Sequence, residues 1–151
     1  MCNKAGIVLM LAAVLAGCKK NEIEVEQPEN PMAPRLMFSS VSPAAPKAME
    51  DSITFEFFYY DEDADLGENI QGKENLFLID DRINAKYGFR IQQLAPDDMQ
   101  YPIRGKLRIV LPNTGITDGS SSQQATWTIY AVDRSGYESN HIVTSAVTVT
   151  E

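Results

Sequence analysis

The segment ITFEFFYYDEDADLGEN, residues 53–69, decides how the chain is read. Ile53, Phe55, Phe57 and Tyr59 alternate with Thr54, Glu56, Phe58 and Tyr60. A period of two sends successive side chains to opposite faces of an extended chain, and β-branched and aromatic residues suit a pleated, half-buried surface. The strand then runs into Asp61, Asp63 and Asp65, each two residues from the next, with Gly67 after them. One stretch therefore carries a fold class and a candidate chemistry.

The same period recurs downstream. Leu107, Ile109 and Leu111 alternate with Lys106, Arg108 and Val110. Trp127, Ile129 and Ala131 alternate with Thr126, Thr128 and Tyr130, and Val143, Ser145, Val147 and Val149 with Ile142, Thr144, Ala146 and Thr148. Weaker strand patterns cover residues 75–80 and 88–94, and a leading one covers 35–41. Turn pairs punctuate them: Pro96-Asp97, Pro112-Asn113, Asp118-Gly119 and Ser135-Gly136. Residues 119–124, GSSSQQ, read as a flexible loop. Seven short strands separated by turns predict an all-β chain forming a single seven-stranded β-sandwich over residues 35–151. That length supports one core and not two.

The N-terminus reads as an address. Lys4 precedes an apolar run over residues 5–14, well short of the roughly 20 residues a spanning helix needs. Leu15-Ala16-Gly17-Cys18 follows and resembles the bacterial lipobox, which implies cleavage before Cys18 and acylation of its thiol. Residues 1–17 are then a lipoprotein signal peptide. Cys2 leaves with it, Cys18 carries lipid, and no thiol remains for a disulfide or for nucleophilic catalysis. Several acyl chains anchor durably where one holds weakly. Residues 18–34 hold the lipidated Cys and the stretch KKNEIEVEQPENPMAP, whose glutamates and prolines cannot bury enough surface to fold. Extended at about 3 Å per residue, this tether reaches on the order of 50 Å from the membrane. The expected location is the outer membrane, facing periplasm or cell surface.

Charge excludes one class of partner. The formal net charge is −8, and removal of residues 1–17, which hold Lys4 and no acid, makes it −9. Such a domain repels phosphate backbones, so nucleic acid is not an expected partner.

The stretch ATWTIYAVDRSGYESNHIVTSAVTV, residues 125–149, resembles the F and G strands of fibronectin type III and immunoglobulin-like domains. Together with the lipobox, the D-x-D-x-D-L-G segment, the strand NLFLIDDR and the hairpin DRSGYESN, the chain resembles small Bacteroidetes-type lipoproteins. The acidic run after Cys18 is similar to their surface-export signals. The resemblance implies an immunoglobulin-like sandwich and a lipid anchor, and it implies no activity. The Cys pair of antibody domains is absent.

In that frame residues 53–60 form strand B, 75–80 strand C, 127–133 strand F and 142–149 strand G. The B–C loop, 61–74, and the F–G loop, 134–140, share one pole. Asp61, Asp63 and Asp65 can curl inward there, with Asp133 reaching across and Asn69, Glu138 or Asn140 near enough to complete a calcium shell of six to eight oxygens. An EF-hand is excluded, because its Gly and bidentate Glu positions fall on Leu66 and Gly72. The other reading is a solvated turn, since aspartates bond their own nearby backbone. Asp80, Asp81 and Arg82 lie at the far end of strand C and read as a local ion pair. Phe58, Tyr60 and Tyr137 fall beside the acidic pole, where Tyr60, Tyr137 and Asn140 are candidate contacts for a carbohydrate or protein ligand; the other reading is that Phe58 and Tyr60 pack under the leading segment or the loop itself.

Catalytic patterns are weak. His141 is the only histidine, and Ser135, Ser139 and Asp133 near it lack a G-x-S-x-G elbow. A catalytic zinc would need several His or Cys ligands. No spacing selects a carboxylate pair for glycoside hydrolysis. The expectation is a non-catalytic binding or adhesion module acting through the B–C and F–G pole; the alternative is a structural or assembly subunit of an outer-membrane complex. The address has a direct test. Metabolic labelling with palmitate should mark the wild type and leave Cys18→Ala unlabelled and released from the membrane.

Overall fold

The computed structural model describes Pro28 and residues 30–151. The signal peptide, Cys18 and most of the tether lie outside the described residues. Nine strands are present: β1 Arg35–Ser42, β2 Ile53–Asp61, β3 Leu76–Asp80, β4 Ala85–Phe89, β5 Ile103–Leu111, β6 Ser122–Ala125, β7 Trp127–Ala131, β8 Ile142–Val143 and β9 Val147–Thr150. Among the described residues there is no helix, and none long and apolar enough to cross a membrane.

The strands form antiparallel sheets in the orders β1-β2-β5, β4-β3-β7-β8 and β6-β9, a β-sandwich-like arrangement. Inward residues of β2 (Ile53, Phe55, Phe57), β3 (Leu76, Leu78) and β7 (Trp127, Ile129) are fully or almost fully buried in one core. Phe55 meets Trp127 edge-on, with ring centroids 5.1 Å apart at 69°. Aromatic pairs favour this geometry over a face-to-face sandwich because ring edges are positive and faces negative.

Three elements differ from the sequence expectation. The stretch expected as one strand over 142–149 is divided into β8 and β9. Here Thr144 bonds Trp127 twice, its N–H donating to the carbonyl at 2.9 Å and its Oγ1 accepting from the N–H at 3.0 Å. The 142–150 side carries one extra residue relative to its partner, a bulge that passes the chain from the β7 pairing to the β6 pairing. The stretch read as a flexible loop supplies β6, which pairs with β9 in register from Ser122↔Thr150 to Ala125↔Val147. The strand expected at 88–94 lies at 85–89. Asn84, at φ 54°, closes a tight turn so that Asp80 pairs Ala85. Ile91 is buried without joining a strand, because the Asn75 side chain takes the backbone's part. Asn75 Nδ2 donates to Ile91 O at 3.0 Å, and Oδ1 accepts from Ile91 N at 2.6 Å.

The ion pair expected at the far end of β3 is present, and it is buried. The Arg82 side chain is 8% exposed and that of Asp80 1%, with Nη2 to Oδ2 at 2.6 Å. Arg82 also donates to Gly115 O, Gln123 Oε1 and Thr114 Oγ1, so its guanidinium is satisfied while tying three segments together. Removing one partner of a buried pair leaves an uncompensated charge, which costs about 3–5 kcal/mol. Arg82→Met should lower unfolding stability in urea by that order. Thr126→Ala, which removes only a side-chain bond to Asp81 near the surface, should cost about 1 kcal/mol or less.

Candidate metal centre

The inward parity of β2 does not stop at the core. Tyr59 packs against it, and two residues on, Asp61 has no exposed surface. A carboxylate at that depth needs partners. Asp61 Oδ2 accepts the Leu66 N–H at 2.7 Å, while the buried Oδ1 accepts no hydrogen bond. Asp63 Oδ1, Asp65 Oδ1 and Asp133 Oδ2 are likewise buried and unpartnered. Asp61, Asp63 and Asp65 each turn one oxygen into a cluster whose members lie within 4.8 Å of one another.

The chain holds this arrangement from two sides. Leu66 is fully buried and anchors the loop in the core. Ala64 and Gly67 both have positive φ, 60° and 89°, which folds the loop back on itself. Gly67 is also packed so tightly that a Cβ there would lie 2.2 Å from the Gln92 carbonyl oxygen. From the β7–β8 hairpin, Arg134 N–H donates to Asp65 O at 3.2 Å, and its guanidinium donates to Gly67 O at 2.9 Å and Ala64 O at 3.3 Å. Ser135 donates from N and Oγ to Asp65 Oδ2 at 3.0 and 2.7 Å. Asp133 Oδ1 accepts the Tyr137 N–H at 2.7 Å. Asp61, Asp65 and Asp133 thus share one division of labour: one oxygen fixes the loop and the other is left without a donor.

Electrostatics make this division costly without a cation. Burial pushes the Asp61 carboxyl up to about 7; the Leu66 N–H opposes the rise, and the Asp63 and Asp65 carboxylates add to it. Asp133 is pushed up to about 6, again chiefly by burial, with the Tyr137 N–H opposing and Asp65 and Asp63 adding. Those causes also place Asp133 within electrostatic reach of the trio. A divalent cation would replace lost hydration and mutual repulsion at once. The donors are all oxygens, which suits a hard ion such as Ca²⁺ and not zinc, which favours His and Cys.

The other expected site residues fall in different places. Asn140 is buried, and its amide holds β1, with Oδ1 accepting from Leu36 N at 2.7 Å and Nδ2 donating to Leu36 O at 2.9 Å. Asn69 bonds Gln93, and Glu138 bonds His141. Tyr137 is exposed at the hairpin tip. Tyr60 and Phe58 point away from the core on the outer face of β2, where Tyr60 donates to Glu62 Oε2 at 2.6 Å. His141 stacks on Tyr130, with centroids 4.6 Å apart, while the Ser135 hydroxyl is on Asp65 and that of Ser139 on Asn140 O. Arg134 and Ser135 are the site residues that sequence reasoning missed; only their position in the hairpin facing the acidic loop signalled them. Comparison with protein-family models, with curated proteins and with solved structures finds no match.

The raised carboxyls have a stability consequence. In their folded environment Asp61 and Asp133 retain protons that an unfolded chain releases near the ordinary aspartate value of 3.8. Their contribution is fully present below that pH and is lost as pH rises through about 6 to 7. In chelator, the melting temperature of wild type should therefore fall more steeply between pH 4 and 7 than that of Asp61→Asn. Added calcium should remove the difference in slope.

Proposed function

We propose that this chain is a membrane-anchored envelope lipoprotein whose immunoglobulin-like β-sandwich serves as a non-catalytic binding module, with one calcium ion fastening the two loops of its recognition pole. The observation that carries the metal reading is the set of four buried carboxylate oxygens without hydrogen-bond donors, one of them on a residue with no exposed surface. Aspartates that merely shape a turn bond their own backbone and leave their other oxygens in water. These four leave them in the protein. Calcium takes six to eight oxygens, so backbone carbonyls and water would have to complete its shell.

Several features support the rest of the reading. The sheet β1-β2-β5 opposite β4-β3-β7-β8 follows the immunoglobulin-like order A-B-E against C′-C-F-G. In that order the 61–74 and 134–140 segments are the B–C and F–G loops, and the hydrogen bonds from Arg134 and Ser135 to Asp65 join them. Loops on a rigid sandwich are the usual place for recognition. Tyr137, exposed at the hairpin tip, is the side chain on this pole best placed to touch a carbohydrate or protein ligand. The lipid anchor at Cys18 and the outer-membrane location rest on the lipobox.

A bound ion stabilises the native state by an amount that grows with the logarithm of its concentration relative to Kd, about 2.7 kcal/mol at one hundred times Kd. Millimolar calcium should raise the melting temperature of the wild type, and chelator should reverse the gain. The double variant Asp63→Asn, Asp133→Asn should melt at one temperature with calcium and with chelator. Equal melting of the wild type under both conditions would sink the metal reading.

A further inference from the structure

The acidic pole is not the only chemically distinct surface. The outer face of the β1-β2-β5 sheet is basic and aromatic, on a chain whose net charge is −8. Pairing registers organise it into rows. Arg35, Tyr60 and Arg104 stand side by side across the three strands, and Met37, Phe58 and Lys106 form another row two residues along. These six line a groove of about 580 Å³. Each row places an aromatic ring at its centre. The Arg35 guanidinium lies 4.5 Å from the Tyr60 ring centroid, and Lys106 Nζ lies 5.8 Å from that of Phe58.

Several of these side chains are open to a ligand. Phe58 and Met37 are each 42% exposed, although large apolar groups on a strand are ordinarily turned inward. Arg104 is exposed and, among the described residues, makes no ion pair. Lys106 is partly neutralised by Glu56 at 2.7 Å, and Glu62 borders the groove through its bond from Tyr60. Beneath the face, Gly105 leaves room for the Tyr59 ring, which a Cβ would approach to 2.8 Å. The groove therefore has a packed floor, two stacking surfaces and cations at its margins.

We propose that this groove binds an anionic glycan, a chain of carboxylated sugars of the uronate type. The flat apolar faces of sugar rings match Phe58 and Tyr60. The planar guanidinium fork of Arg104 matches a carboxylate in two parallel hydrogen bonds. The rows stand about 6.6–6.8 Å apart along the strands, and Arg104 and Lys106 follow each other in successive rows of β5, so an extended chain meets cations repeatedly. An anionic bilayer is the competing partner, and the charge distribution disfavours it. A bilayer would bring an extended negative surface up to the acidic pole beside the groove, whereas a slender chain senses mainly the cations within a Debye length of about 8 Å.

The full chain in detergent, with chelator present, is titrated calorimetrically with short polyuronate oligomers, their carboxyl-reduced neutral counterparts, and vesicles containing anionic lipid. Polyuronate should bind, and binding should weaken as sodium chloride is raised from 50 to 500 mM. Arg104→Glu and Phe58→Ala, both surface changes, should melt near the wild-type temperature and weaken binding at least tenfold. Asp63→Asn should bind like wild type, which separates this groove from the metal centre. The proposal is overturned by absent oligomer binding, by equal binding of the neutral oligomers, by variants that bind unchanged, or by vesicles binding where oligomers do not.

Discussion

β2 carries fully buried apolar side chains at Ile53, Phe55 and Phe57 and a fully buried carboxylate at Asp61, and the pleat of the strand couples them. Because the side-chain period is two, a register slip of one residue would expel the three apolar groups and bury Glu56 and Phe58 instead. The core therefore dictates that Asp61 points inward. Asp61 is not placed by a loop that happens to curl; it is the last inward position of a strand held on both sides, by β1 and by β5. An ionisable group delivered to the rim of a core by the pattern that builds the core has three remedies: a proton, a donor or a cation. One oxygen takes the Leu66 donor. The other stands beside three more carboxylate oxygens that lack donors.

This constraint spreads to both sheets. The acidic loop is clamped by Arg134 and Ser135, which extend from β7 in the second sheet. The hairpin that carries them returns to the first sheet through Asn140, whose amide pairs both backbone groups of Leu36 in β1. The pole thus closes a circuit from β2 through the loop to the hairpin and back to β1. Charge-assisted bonds such as Ser135 to the Asp65 carboxylate are stronger than neutral ones, so the circuit gains strength when the carboxylates are ionised. Ionisation is also the state in which their mutual repulsion is greatest. A bound cation would resolve the conflict, because it would favour the ionised state and remove the repulsion together.

Much of this was legible in the sequence, for reasons that differ by element. β2, β5 and β7 alternate cleanly because each has one face on the core and one in water. β6 was not legible. Its residues Ser122, Gln123 and Gln124 are polar, only Ala125 is buried, and β9 recruits it by backbone pairing and by a Gln124–Thr148 side-chain bond. The division of the last strand was hidden as well, since Thr144 keeps the alternation in sequence while its hydroxyl and backbone engage Trp127 in space. Asp61, Asp63, Asp65 and Asp133 were legible as acids at one pole, whereas their depth was not. Spacing shows that Asp61 shares the parity of Phe57, but only packing shows that the core extends far enough to enclose it. Asn140 misled for the converse reason: an amide in a hairpin reads as a surface contact until its two bonds to Leu36 are seen.

One side chain touches both surfaces of interest, and its energy bounds how strongly they communicate. Glu62 belongs to the acidic loop by its backbone and to the outer groove by its bond from the Tyr60 hydroxyl. A rearrangement of the loop would shift that carboxylate, and with it the ring that faces Arg35. Yet the bond is partly open to solvent, and water replaces most of its contribution when it breaks. The coupling it can transmit is correspondingly small. Tyr60 is held more firmly by the sheet than by Glu62, since its backbone pairs both Arg35 and Arg104. The sheet accordingly fixes the shape of the groove independently of the acidic loop.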